Sequence, residues 1–283
     1  MGVGLTAFMV AAARAIETHR HDALAQDFYA EQFVRAAPAC DKWPVRIEDV
    51  PNGDANPLWG RLGRYFGLRM RVFDDYLLAA AHTGVRQVVL LGAGFDSRAF
   101  RLGWPKGCVV FELDQDPILR FKQEVLDGSR PQARRIAIAT DLTGNWADQL
   151  ISAGFDPAGP SVWLAEGLLL YLPSEAERRL VNAVDRLAAA GSTLAYEIKV
   201  EHESPDIRAS AVYASTRQQI GVDLLALFDG DARPDSAADL TVRGWSTETY
   251  TPYDFTRKHG KGPLPEPRDA LAANRWVFAD KPR

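Results

Sequence analysis

Glycines and carboxylates recurring at the ends of apolar runs are the residues in this chain best able to do chemistry. Gly92 and Gly94 follow the run Val88–Leu91. Glycine lets the backbone approach a ligand closely, and the start of a following helix presents unpaired N–H groups. Asp114 closes the next run, VVFELD, about twenty residues on, where open parallel sheets hold ribose hydroxyls. Asp141 follows a third run and Glu166 a fourth, and Glu112 precedes Asp114 by two residues. Ligands in such sheets bind outside the carboxyl ends of the strands, so these groups should converge on one site.

An acidic site of this kind is a poor cradle for a pyrophosphate. The turn itself carries Asp96 where a phosphate would rest, and Ser97 stands at the third small position of a dinucleotide fingerprint. A cofactor with hydroxyl and cationic groups fits better. S-adenosylmethionine has a ribose diol, an adenine amine, an α-ammonium and a sulfonium. Each residue also has a purely structural reading: Asp114 and Asp141 as caps of the following helices, Glu166 as one half of an internal salt bridge.

The elements that must position these residues alternate. Strands are expected at 86–91, 108–113, 134–139, 161–165 and 192–198, with helices near 96–102, 116–127, 144–152 and 174–189. The last of these helices is expected to be capped by Ser174, with Glu177 three residues on. This alternation predicts a Rossmann-like, doubly wound α/β fold with helices on both faces of a mostly parallel sheet. Residues 4–37 and 58–81 read as helical, residues 204–229 likewise, and 38–57 as a loop. Asp239–Tyr250 and Ala273–Ala279 read as two closing strands, giving seven in all. The expected division is a helical N-terminal cap at 1–84, a cofactor-binding core at 85–200, a lid at 201–240 and closing strands at 241–283.

Bulk properties narrow the function further. The 283 residues carry a net charge of −4 with scattered basic groups, which gives no nucleic-acid footprint. No apolar run reaches the ~18 residues of a membrane span. LTAFMVAAARAI near the N-terminus is interrupted by Arg14 and reads as an amphipathic helix of a cytoplasmic protein. Cys40 and Cys108 lack metal spacing, and His19 and His21 lack a third ligand, so no metal is expected.

Taken together, TAFMVAAARAIET, DFYAEQFVRAA, RMRVFDD, LLGAGFDSRAFRL, FELDQ, TDL and AEGLLLYLP resemble a class I S-adenosylmethionine-dependent methyltransferase. More narrowly, the chain resembles the leucine carboxyl methyltransferase family in its actinobacterial small-molecule branch. The resemblance implies that Arg69 pairs with the cofactor carboxylate and that Gly92 and Gly94 underlie its methionine part. It implies Asp114 on the ribose, Asp141 and Leu142 at the adenine, and Glu166 near the α-amino group. It further implies Arg14 as a lid cation near the cofactor carboxylate; Arg14 and Arg69 also read as exposed helix residues in surface ion pairs.

The resemblance further implies O-methylation of a carboxylate or hydroxyl on a small molecule, with a polyketide-type secondary metabolite favoured over a protein C-terminus. The alternatives are an NAD-dependent oxidoreductase and a non-catalytic nucleoside-binding protein. No general base is assigned. His202 and Tyr171 are the side chains closest to qualifying for a role in the acceptor pocket.

Overall fold

The computed structural model describes residues 2–200, 205–228 and 232–283. Seven strands form one sheet: β1 (Gln87–Leu91), β2 (Val109–Asp114), β3 (Arg134–Ala139), β4 (Ser161–Ala165), β5 (Thr193–Lys199), β6 (Ser246–Tyr250) and β7 (Asn274–Asp280). Their spatial order is β3-β2-β1-β4-β5-β7-β6. The pairings among β1 to β5 are parallel, and β7 runs antiparallel between β5 and β6. The chain reverses its direction of winding at β1, between β2 and β4. Parallel sheets of this kind open a crevice for ligand at that point.

The apolar run in β1 explains why both faces are covered. Val88 and Leu90 point into one core with α1 (Gly2–Thr18), α2 (Ala30–Ala36) and α3 (Trp59–His82). Val89 and Leu91 point into a second core with α6 (Trp146–Ser152), α7 (Ser174–Leu187) and α11 (Ser236–Val242). A strand buried on both faces has no polar side to offer and reads as continuous hydrophobic sequence. Between these lie the single-turn α4 (Arg98–Arg101) and α5 (Asp116–Val125).

Several sequence expectations change in detail. Ser174 is the first residue inside α7 and makes no capping bond. Glu177 is instead fully buried and lies 3.3 Å from Arg233. The reciprocal capping box occurs at Thr251 and Asp254, which open α12 (Pro252–His259), a helix the sequence reading passed over. Residues 239–250 are two elements. Asp235 caps α11 by accepting from Ala238 N, the chain turns at Gly244 with φ +91°, and only then does β6 begin. Residues 23–29 are not helical. Glu17 and Thr18 accept from the backbone N–H groups of Leu24 and Asp27, at 2.8 and 2.7 Å, and hold that stretch as a joint between α1 and α2. The stretch 204–229 breaks into α8 (Pro205–Arg208), α9 (Ala211–Ile220) and α10 (Leu224–Leu227), with Gly221 at φ +69° between the last two.

Candidate active site

A cavity of about 410 Å³ opens over the carboxyl ends of the strands. Arg69, Gly92, Gly94, Asp114, Asp141, Leu142 and Glu166 all lie on its wall. Gly92, Asp114, Asp141 and Glu166 thus meet because every parallel strand delivers its C-terminal end to the same edge, and α3 carries Arg69 across that edge.

The floor is the turn after β1. Gly92 has φ +66°, a conformation that favours glycine, and a Cβ there would press on Leu168 Cδ1 at 3.0 Å. Gly94 has φ +46° and leaves open space above it. Asp114 at the tip of β2 reaches across and accepts from Gly94 N at 2.6 Å and from Gln115 N at 2.7 Å. Burial pushes its carboxyl up, offset in part by those two N–H donors. Asp114 is therefore no helix cap: Gln115 occupies the cap position of α5. Asp141 is not a helix cap either. It closes its own turn, accepting from Thr143 N and Oγ1 at 2.8 Å each, and these bonds lower its pKa.

Beyond the floor, a chain of buried charges crosses the sheet edge. Glu166 sits 2.8 Å from Arg69 Nε and 2.7 Å from Arg98 Nη1. Arg69 also pairs with Glu197 of β5, which holds the hydroxyl of Tyr65. Arg98 pairs with Asp96 and with Asp74, and Arg101 also binds Asp74. Burial opposes the charge on Glu166, but Arg98 and Arg69 outweigh it and hold its pKa below the usual range. Asp96 is held down to about 2, with burial overcome by Arg98 first. Three guanidiniums here face four carboxylates, Asp74, Asp96, Glu166 and Glu197, leaving one negative charge in excess. Arg69 Nη2 has no hydrogen-bond partner among the described residues.

Arg69 and Arg14 are buried, at 5% and 7% exposure, so neither forms a surface ion pair. Arg14 donates to the Phe95 carbonyl at 2.8 Å and lies 3.3 Å from Asp27. Glu112 is the exception to convergence. It is enclosed below the site and neutralised by Lys122 and Arg135, each at 2.8 Å, so it does not reach the cavity wall. Tyr171 lines the cavity, and burial pushes its hydroxyl up to about 12. His202 lies outside the described residues. Arg98, Asp74 and Glu197 were not singled out from sequence. A charge inside the apolar strand TLAYEIK was the available sign for Glu197. No group of three or more His, Cys, Asp or Glu side chains suited to a metal occurs among the described residues. No helix among them is long and apolar enough to cross a membrane.

This sheet order, with its single antiparallel strand and a site at the switch point, defines a methyltransferase-like α/β fold. A methyltransferase structure from Thermobifida fusca superposes with TM-score 0.53 at 16% identity, covering 96% of this chain and 94% of that one. A Streptomyces avermitilis structure matches at TM-score 0.51 and 17% identity, over 95% and 97% of the two chains. Residues 7–185 match the leucine carboxyl methyltransferase family model, and the chain belongs to that family. A provisionally named S-adenosyl-L-methionine-dependent methyltransferase of Streptomyces coelicolor is 60% identical over the whole of this chain and 94% of its own length. A Saccharopolyspora erythraea protein with the same kind of name is 45% identical over 86% of this chain and 83% of its own.

Proposed function

We propose that the protein is an O-methyltransferase that uses S-adenosylmethionine to methylate a carboxylate or hydroxyl of a small molecule, a polyketide-type secondary metabolite being the favoured class. The observation that carries this reading is the buried charge chain with one carboxylate in excess. It suits a zwitterionic methionine end: the surplus negative charge attracts an α-ammonium near Glu166, while Arg69 Nη2 is available to the carboxylate. Asp114 keeps lone pairs for a ribose diol after binding Gly94 and Gln115. Leu142 and Asp141 would flank an adenine. Asp96, ionised in the turn, works against a pyrophosphate and hence against an NAD-dependent oxidoreductase.

When bound, S-adenosylmethionine supplies a methyl group already activated on sulfonium. What remains for the protein is alignment and the exclusion of water. The α1 and α3 residues Val10, Leu62 and Phe66 line one side of the cavity, and the 205–228 segment contributes Val212, Leu224 and Phe228. These two regions form the lid over the acceptor. An acceptor that arrives ionised needs no general base.

The test is transfer of labelled methyl from S-adenosylmethionine to a panel of aromatic and aliphatic acids and phenols. Methyl esters release methanol in mild base and aryl ethers do not, which separates carboxyl from hydroxyl acceptors. Label found only on nitrogen, or on no acceptor of the panel, would overturn the reading.

A further inference from the structure

We infer that Asn274 is a specificity-determining residue of the acceptor pocket, and that the acceptor carries, besides the oxygen that takes the methyl group, a neutral hydroxyl or N–H that donates to Asn274 Oδ1. This rests on the cofactor reading above. β7 runs antiparallel to β5, so its first residue, Asn274, stands opposite Lys199 at the edge where the parallel strands end. It lies on the cavity wall. In the sheet, β7 is two strands beyond β4. Two strand spacings are roughly 10 Å, which sets Asn274 well past the place assigned to the α-ammonium at Glu166. The cofactor groups run across the edge from β3 toward β4, so Asn274 belongs to the acceptor side.

The end of the buried charge chain fixes which way the Asn274 amide faces. Glu197 accepts from Arg69 Nη1, from the Tyr65 hydroxyl and, at 3.3 Å, from Trp276 Nε1. Tyr65 is buried on the same wall, and burial together with the Glu197 charge pushes its pKa well up. Tyr65 therefore keeps its proton and directs it at that carboxylate. Its oxygen is left to accept, and it accepts from Asn274 Nδ2 at 2.8 Å. An amide nitrogen committed to Tyr65 turns the amide oxygen away from it. Asn274 is 7% exposed, and its Oδ1 has no hydrogen-bond partner among the described residues. A buried acceptor left unfilled is costly and uncommon. Reversing the amide gives no relief, because Oδ1 would then face a hydroxyl whose proton is already engaged. On a cavity wall, a bound molecule can supply the missing donor. An amide oxygen is too weak a base to remove a proton, so the group it holds stays protonated and is not the nucleophile. It is a second polar group, retained through the reaction, that sets the orientation of the acceptor.

Calorimetry on the full chain loaded with S-adenosylhomocysteine tests the inference. The probes are the positional isomers of hydroxynaphthoate and aminonaphthoate, which carry a donor, with the methoxynaphthoates and unsubstituted naphthoate as counterparts that lack one. At least one donor-bearing probe should bind about tenfold or more tightly than both of its counterparts. In Asn274→Leu that preference should fall to near unity, with the affinity for S-adenosylhomocysteine unchanged. Tyr65→Phe gives a second reading should Asn274→Leu fail to fold. It frees the amide to turn and present Nδ2, so the preference for hydroxy over methoxy probes should narrow severalfold. A wild type that binds none of the panel, or binds its members equally, overturns the inference, as does a preference that persists in Asn274→Leu or is unchanged in Tyr65→Phe. Loss of S-adenosylhomocysteine affinity in an Asn274→Leu protein that melts like the wild type would give Oδ1 to the cofactor ammonium and overturn it too. Absence of S-adenosylhomocysteine binding by the wild type would instead overturn the cofactor reading, so the two failures are distinguishable.

Discussion

The two halves of the cavity are built on opposite plans. Toward β2 and β4, the wall is charged, and its ion pairs tie the strand ends to the long α3 and the single-turn α4. Past the end of β5, whose Glu197 and Lys199 are the charged lining residues there, it is otherwise aliphatic and aromatic, and much of it comes from α9, α10 and their flanks. The charged half owes its geometry to ion pairs that are expensive to break. The apolar half owes its shape to packing by short helices, whose contacts with the rest of the fold are fewer.

The sharpest way to break this contrast is at Arg98. Replacing it with Met leaves Asp74, Asp96 and Glu166 short of their shared cation. Removing one partner of a buried pair costs about 3–5 kcal/mol. Arg98→Met should lower the unfolding temperature by roughly 10 °C and abolish cofactor binding, as read by calorimetric melting and titration. A smaller effect is expected on the apolar side. Phe228→Ala removes the ring between Tyr171 and Tyr213 and should raise the acceptor KM by about tenfold. Its S-adenosylhomocysteine affinity should match the wild type. A comparable loss of both affinities would show that the halves are not separable.

The smallest effect concerns the helix joint that backs the cavity. Burial raises Glu17 from 4.5 to about 7, against the pull of the Leu24 N–H, Arg64 and Arg20. A carboxyl whose folded pKa is raised stabilises the fold at pH below its unfolded value and loses that contribution as pH rises through the folded value. Stability should fall by a few degrees in melting temperature between pH 4.5 and about 7 from this group alone. Glu17→Gln should flatten that slope. A slope identical in the variant would assign it to other groups.

The two halves also differ in how much of them can be read from sequence. The apolar runs of β1, β2 and β4 imply a sheet covered on both faces, and the strand-end rule then puts Asp114, Asp141 and Glu166 on one edge. The partners of Glu166 are not legible in the same way. Arg69 lies 97 residues upstream on a helix, and only the packing of α3 across the β4 end brings the two within 2.8 Å. Glu112 has the same strand spacing as Asp114 yet is neutralised in the core, because Lys122 and Arg135 come from neighbouring elements that local pattern does not relate to it. The region after β5 is obscured for a different reason. Its helices are only one to three turns long, so helical periodicity has little room to develop. There the informative signals are single residues, such as the Gly221 break and the Thr251-Pro252 start of α12.

Asp114 offers the most direct test of the cofactor half. Titration calorimetry of the wild type should show binding of S-adenosylhomocysteine and none of NAD. Asp114→Ala should lose about 1.5–3 kcal/mol of that affinity, the worth of hydrogen bonds to a charged group, with little change in the melting temperature of the unliganded protein. Binding of NAD in place of S-adenosylhomocysteine, or full affinity in Asp114→Ala together with collapse of its unliganded stability, would contradict the account.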